Sequence, residues 1–405
     1  MPSPHDVLTR HPEFDWLRVI ALSLLIVFHA AVGFSPHWHW YVVDPHLSTP
    51  LDFFLEFIQR WRVTLVFVVS GAALMLAMRS RSPIEIVRER SRRLLIPLLF
   101  AIVVVIPPQI YLERLQRGEF HGSYPAFLTH LFNGIYPAGN LSWHHLWFVP
   151  YVMVLSAVLL PLFGWMRSAA GQRLLEQPID LIARHHLYWL LVVPLTLSES
   201  LLRLQPNYSH SFVCDRHGWA VFFLLMLLGG ALALWPRLLA AVQRGRWVCV
   251  LIGIAAFAAL DERWLRIGAD PRTLPPLACA EFCFLSAANV LGWLLAITGF
   301  VTRYLRRGSP VLTYATDAAL PVYILHQTLT VIAVYFLHRV DWPLALKLPA
   351  TILFTVAGAM AVYEFAIRRS SLLRLLFGMR PSRIDSGRTA TSRWSAPASS
   401  DRQPS

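Results

Sequence analysis

The chain has 405 residues, of which 56% are hydrophobic and only 15% charged, with a mean hydropathy of +0.51. Soluble domains carry roughly 25% charged residues, so a soluble globular protein is excluded and an all-α, polytopic transmembrane helix bundle is expected. The net charge of +13 does not point to nucleic acid, because the basic residues are spread between apolar runs rather than clustered on one polar face.

Residues 1–13 are short and polar and are expected to be a cytoplasmic N-terminus. The first apolar segment, about Phe14–Phe34, carries Asp15, Arg18 and His29. On a helix, Arg18 and His29 fall roughly 20° apart and about 16 Å along the axis, with Asp15 about 40° from His29. Three ionisable groups on one stripe of a span point to a bundle interior or a water-filled cavity. The alternative is that Asp15 and Arg18 are interfacial anchors and His29 an interhelical hydrogen bonder. The segment has no small-residue exit and is expected to stay as a signal anchor.

An aromatic loop, SPHWHWYVVDPHLSTP, follows. The second span, about Leu51–Met78, places Asp52, Glu56 and Arg60 at i,i+4 spacing, where they can pair. It then carries the small pair Ser70-Gly71, which permits close backbone approach. The basic stretch RSRSPIEIVRERSRR leads into span three, about Leu94–Leu112. Within it Arg90 and Arg93 share a helical face. Guanidinium forks suit phosphates, although basic residues at a helix end also serve as topological anchors.

A Gly-, Pro-, His- and aromatic-rich loop runs to His145, and span four begins at HHLWFVPYV. Spans five (about Leu187–Leu204) and six (about Trp219–Trp235) follow. The seventh, WVCVLIGIAAFAAL, has fourteen residues and reaches only about 21 Å against a core of about 30 Å. Spans eight (about Leu277–Val301), nine (about Val311–Leu337) and ten (about Leu346–Ile367) complete a set of about ten. Span five holds Glu199 and Arg203, and span eight Glu281 and Asn289, all read mainly as structural. Span nine contains ALPVYILHQTLTV, where Tyr323 and the second deep histidine, His326, share a face. Residues 368–405 form a basic tail expected to be mostly disordered. Basic residues concentrate in the N-terminus, the even loops and the tail, which places both termini in the cytoplasm.

Cys214, Cys249, Cys279 and Cys283 read as packing residues. His37, His39, His144 and His145 have no carboxylate or cysteine companion at zinc spacing, so no metal is expected.

These residues carry a resemblance. FDWLRVIALSLLIVFHA, VFVVSGAAL, RERSRRLLIP, HHLWFVPYV and ALPVYILHQTL occur in the order seen in the membrane-bound acyltransferase 3 family. Asp15, Leu17, Arg18 and His29 match its D-x-L-R start and the histidine about eleven residues on. The chain is most similar to the glucan-modifying subgroup, the periplasmic glucan succinyltransferases. The resemblance covers about Phe14 to Ile367, and residues 14–367 are read as the acyltransferase domain.

It implies a multi-pass enzyme of a bacterial inner (plasma) membrane. That enzyme would move an acyl group of the acetyl or succinyl class from cytoplasmic acyl-CoA to a hydroxyl of an extracytoplasmic glycan or lipid-linked sugar. In that reading Arg18, Arg90 and Arg93 hold CoA phosphates. His29 is the general base and Asp15 positions Arg18, while His326 and Tyr323 orient the acceptor or stabilise an oxyanion. The rival reading is a proton-coupled transporter with Asp15, His29 and His326 as its relay.

Overall fold

The computed structural model describes residues 11–38, 40–203, 212–265, 268 and 270–380. His39 and residues 381–405, most of the expected tail, lie outside them. The described residues are mostly helical, with one isolated β-bridge between Ile135 and Leu141 and no strand among them. Eight helices are long and apolar enough to cross a membrane, so the chain is an all-α polytopic bundle.

Helix α1 is Pro12–Val32, α2 is Thr49–Ala77 and α3 is Pro83–Phe100. Proline at the first or second position starts each of them, where its missing N–H is not needed. Ser82 and Glu85 add a capping box to α3. From Pro83 onward the basic stretch before span three is helix. It continues through a wide turn, Ala101–Val105, into α4, Pro107–Gln116.

That turn has a sequence cause. Pro107 and Pro108 cannot donate to the carbonyls of Val103 and Val104, and the ladder widens. The amide of Ile106 reaches back to Ala101 at 2.8 Å, and that of Gln109 bonds Ile106 at 2.9 Å. The carbonyl of Val105 is left over, and Thr328 Oγ1 donates to it at 2.7 Å.

A short α5, Tyr124–Leu128, lies in the loop that follows. There the Tyr136 hydroxyl donates to Glu113 Oε1 at 2.9 Å. Burial first, then the Glu113 carboxylate, push the Tyr136 phenol up to about 12, so it remains a donor. Helix α6, Phe148–Arg167, is entered by a tight turn at His144–Trp147.

Helix α7, Ala169–Arg184, falls where the sequence suggests a loop. It is amphipathic, with Ile179 and Ala183 buried and Leu174 and Leu181 exposed. The fifth apolar segment, Leu187–Leu202, is shorter than the eight. Within it lies α8, Val192–Ser198. Helix α9 is Arg216–Leu234, capped by Asp215, which accepts from the Gly218 amide at 2.8 Å.

The weakest segment of the sequence becomes α10, Pro236–Leu260. Its 25 residues extend back through the basic stretch around Arg237, Arg244 and Arg246, giving about 37 Å of helix. Then come α11, Pro276–Tyr304, α12, Pro310–Leu337, and α13, Leu344–Phe365.

Helix α1 packs against α2, α11, α12 and α13, which puts its polar stripe inside the bundle. Helices α2 and α9 meet through reciprocal glycines. A β-carbon on Gly71 would lie 1.9 Å from the Met226 carbonyl oxygen, and one on Gly229 1.9 Å from that of Val68. The Ser70-Gly71 pair thus serves the close approach expected of it.

Residues 368–380 of the tail are folded. Helix α14, Ser371–Leu376, leads to Phe377, which is buried edge-on against Phe100, and the Gly378 carbonyl accepts from Arg93 Nε at 2.8 Å.

Candidate active site

The two deep histidines meet. His29 of α1 and His326 of α12 are both buried, and their rings join Nδ1 to Nε2 at 2.8 Å. The other nitrogen of His326, Nδ1, faces the Tyr323 carbonyl at 2.5 Å. A carbonyl only accepts, so Nδ1 of His326 carries the proton and its Nε2 carries the lone pair. His29 Nδ1 then donates to that lone pair. With both rings neutral, this network puts the proton of His29 on Nδ1 and leaves the lone pair on Nε2.

Beside His29 lies a cavity of about 220 Å³, lined among others by His29, Trp38, Trp40, Tyr41, Arg62, His144, His145 and Gln327. Trp40 and His29 have ring centroids 5.2 Å apart, and Tyr41 stacks on His144 at 4.5 Å. His144 takes a left-handed backbone, φ +41°, uncommon for a residue with a β-carbon. His145 lies edge-on to His326 at 5.1 Å, and its Nε2 meets the Ile324 carbonyl at 3.2 Å. Gln327 Nε2 donates to Gln109 Oε1 at 3.0 Å, and Gln109 Nε2 to Thr328 Oγ1 at 2.6 Å. The wide turn of α3–α4 is thereby tied to the cavity wall.

Each sequence-selected residue has a definite place. Tyr323 is next to the pair, but its hydroxyl donates to the His145 carbonyl, so it fixes the His145 turn. Asp15 is not near His29. It pairs with Arg18 at 3.4 Å, about 21 Å away along α1. The three groups of a proton relay are therefore not contiguous.

Arg18, Arg90 and Arg93 form one basic locus, close enough for the charges of Arg18 and Arg93 to act on Arg90. The two α3 guanidiniums diverge. Arg90 donates to Ser156 Oγ and, at 3.5 Å, to the Ser70 carbonyl. Arg93 bonds the Gly378 carbonyl and, at 3.4 Å, Glu89.

Of the pairings read in span two, Glu56–Arg60 forms at 2.7 Å, while Asp52 takes Ser35 and, at 2.7 Å, His37. Glu199 accepts from Ser286 at 3.1 Å, Glu281 pairs with Arg263, and Asn289 donates to the Gly253 carbonyl at 2.8 Å. The side chain of Arg203 lies outside the described residues. The sequence does not single out Arg62, and it gives His144 and His145 no catalytic role. An arginine deep in an apolar run was the available signal.

Taken together, the polytopic bundle holds a buried histidine pair, one member of which lines a cavity. The family described as "Acyltransferase domain" matches residues 11–364, and the chain belongs to this membrane acyltransferase family. It is therefore a multi-pass membrane acyltransferase, transferring groups other than aminoacyl groups. Among curated proteins it is 26% identical over 393 residues to "Glucans biosynthesis protein C" of Escherichia coli strain SMS-3-5 / SECEC, covering 91% of this chain and 94% of that protein. The protein of the same name in strain K12 / DH10B is 26% identical over 392 residues with the same coverage. No solved structure matches the chain significantly.

Proposed function

We propose that this enzyme transfers an acyl group of the acetyl or succinyl class from cytoplasmic acyl-CoA to a hydroxyl of an extracytoplasmic glycan or glycolipid in the bacterial inner membrane. Residues 14–367 form the catalytic body, and residues 1–13 and 368–405 lie on the cytoplasmic side. The observation that supports this reading is the buried His29–His326 hydrogen bond beside a cavity that His29 lines with Trp38, Trp40 and Tyr41.

In the transfer, His29 Nε2 takes the proton of the acceptor hydroxyl as its oxygen attacks the thioester carbonyl. The carbon–sulfur bond breaks, and the CoA thiolate leaves with that proton. His326 accepts from His29 Nδ1 and holds the ring in the required tautomer. Tyr323 acts through His145, not on the acyl group.

The basic locus of Arg18, Arg90 and Arg93 suits the phosphates of CoA, since three guanidiniums crowd one end of the bundle. From Arg93 a crevice of about 10 Å³, otherwise apolar, is bounded by Leu146 and Ile324 next to the histidine cluster. The aromatic wall suits stacking on sugar rings. The relatives named for glucan biosynthesis make a glucan the acceptor to examine first.

Mass spectrometry of periplasmic and surface glycans from cells with and without this protein tests the reading. The expected result is loss of one acyl modification from a glucan fraction. Identical acyl content in every fraction would defeat it.

A further inference from the structure

Two arginines stand two residues apart on α2 and are satisfied differently. Arg60 is paired with Glu56. Arg62 has no carboxylate partner among the described residues. Its Nη2 donates to Gln59 Oε1 at 2.6 Å, its guanidinium carbon lies 3.5 Å from the centre of the Phe28 ring, and its Nε has no hydrogen-bond partner. The residue is only 6% exposed. It lines the same cavity as His29, and no described Asp or Glu side chain does. Its charge acts on His29, His326 and Tyr323.

A buried charge is expensive unless an opposite charge and hydrogen bonds meet it. The Phe28 face offsets part of that cost, and Gln59 supplies one neutral acceptor. The Nε–H and the positive charge still lack their counterpart. A planar guanidinium presents a fork that fits two oxygens sharing a negative charge.

We propose that Arg62 is the anion subsite of the cavity and binds an oxygen anion of the substrate beside His29. This rests on the acyl-CoA reading above. The anion has two sources with the same chemistry: a carboxylate at the far end of the acyl chain, or the oxyanion that the thioester carbonyl becomes under attack.

The test uses the full chain in nanodiscs with glucan oligosaccharides as acceptor, following CoA release. The donors are succinyl-CoA and butyryl-CoA, four-carbon chains with and without a terminal carboxylate. Wild type, Arg62→Gln and Arg62→Lys are compared. Arg62→Gln is expected to lower kcat/KM at least tenfold, with Arg62→Lys in between. A loss confined to succinyl-CoA and carried by KM assigns the anion to the chain's carboxylate. A fall in kcat with both donors assigns it to the oxyanion.

Activity of Arg62→Gln within twofold of wild type with both donors overturns the proposal. Should that variant not fold, Arg62→Lys decides, because it keeps the charge and loses the fork, and unchanged kinetics with both donors overturn the assignment equally. A wild type that transfers neither chain defeats the acyl-CoA reading and this subsite with it. An active wild type with insensitive Arg62 variants defeats the subsite alone.

Discussion

Asp44–Lys347 and His29–His326 are both buried polar pairs, and both tie a helix of the bundle to a distant part of the chain. The first is closed. Lys347 Nζ lies 2.7 and 3.0 Å from the two Asp44 oxygens, both side chains have no exposure, and His46 completes the cluster at 3.3 Å. It clips the loop bearing Trp38, Trp40 and Tyr41 onto α13. The second pair is open, joined by one hydrogen bond between the rings, with His29 lining a cavity. A pair in which every valence is met serves as a fastener, and a pair with one valence spare is equipped for chemistry.

Breaking the closed pair should have the largest effect on the fold. Lys347→Met leaves the buried Asp44 carboxylate without its lysine and is expected to cost about 3–5 kcal/mol. Denaturant titration in detergent would show this as an earlier transition. Adding Asp44→Leu should restore most of the loss, because an apolar pair of similar volume is often neutral. A Lys347→Met protein as stable as wild type would mean that the cluster is no fastener.

Altering the open pair should leave stability in place and change turnover. His326→Ala removes the acceptor for His29 Nδ1 and with it the fixed tautomer. Loss of such an orienting partner typically costs about 10- to 100-fold, and here the loss should appear in kcat with KM for acyl-CoA unchanged. An unaltered kcat would separate His326 from the base. At the basic end, Arg93→Ala is expected to raise KM for acyl-CoA about tenfold, the equivalent of one charge-assisted hydrogen bond, with kcat kept. No change in KM would reduce Arg93 to the anchor of the α14 segment that its bond to Gly378 already makes it.

The open pair was legible in the sequence because a histidine in an apolar run stands out and has few structural excuses. His29 and His326 stand out on that signal, Tyr323 through its i,i+3 spacing to His326, and Arg90 and Arg93 through the basic stretch before span three. That the two histidines touch was not legible, since 297 residues separate them. The closed pair was less legible still. Asp44 sits in a loop and Lys347 near a helix end, both ordinary positions for a charge, and only the fold brings residues 303 apart together.

Helix α10 is longer than its apolar run because its first half is basic, and it is not among the eight helices apolar enough to cross a membrane. Helix α7 went unseen because an amphipathic helix alternates polar and apolar residues and raises no apolar run. Arg62 carried as strong a signal as His29, and what it lacked in the sequence was any hint that no acid reaches it.

The most direct measurement is acyl transfer by purified protein in proteoliposomes, using radiolabelled acyl-CoA and glucan acceptor, with wild type beside His29→Ala. Wild type should label the glucan, and His29→Ala, folded and inserted to the same level, should label it at background, at least about 100-fold lower for loss of a general base. Equal labelling by both proteins would contradict the central claim that His29 is the base of this acyltransferase.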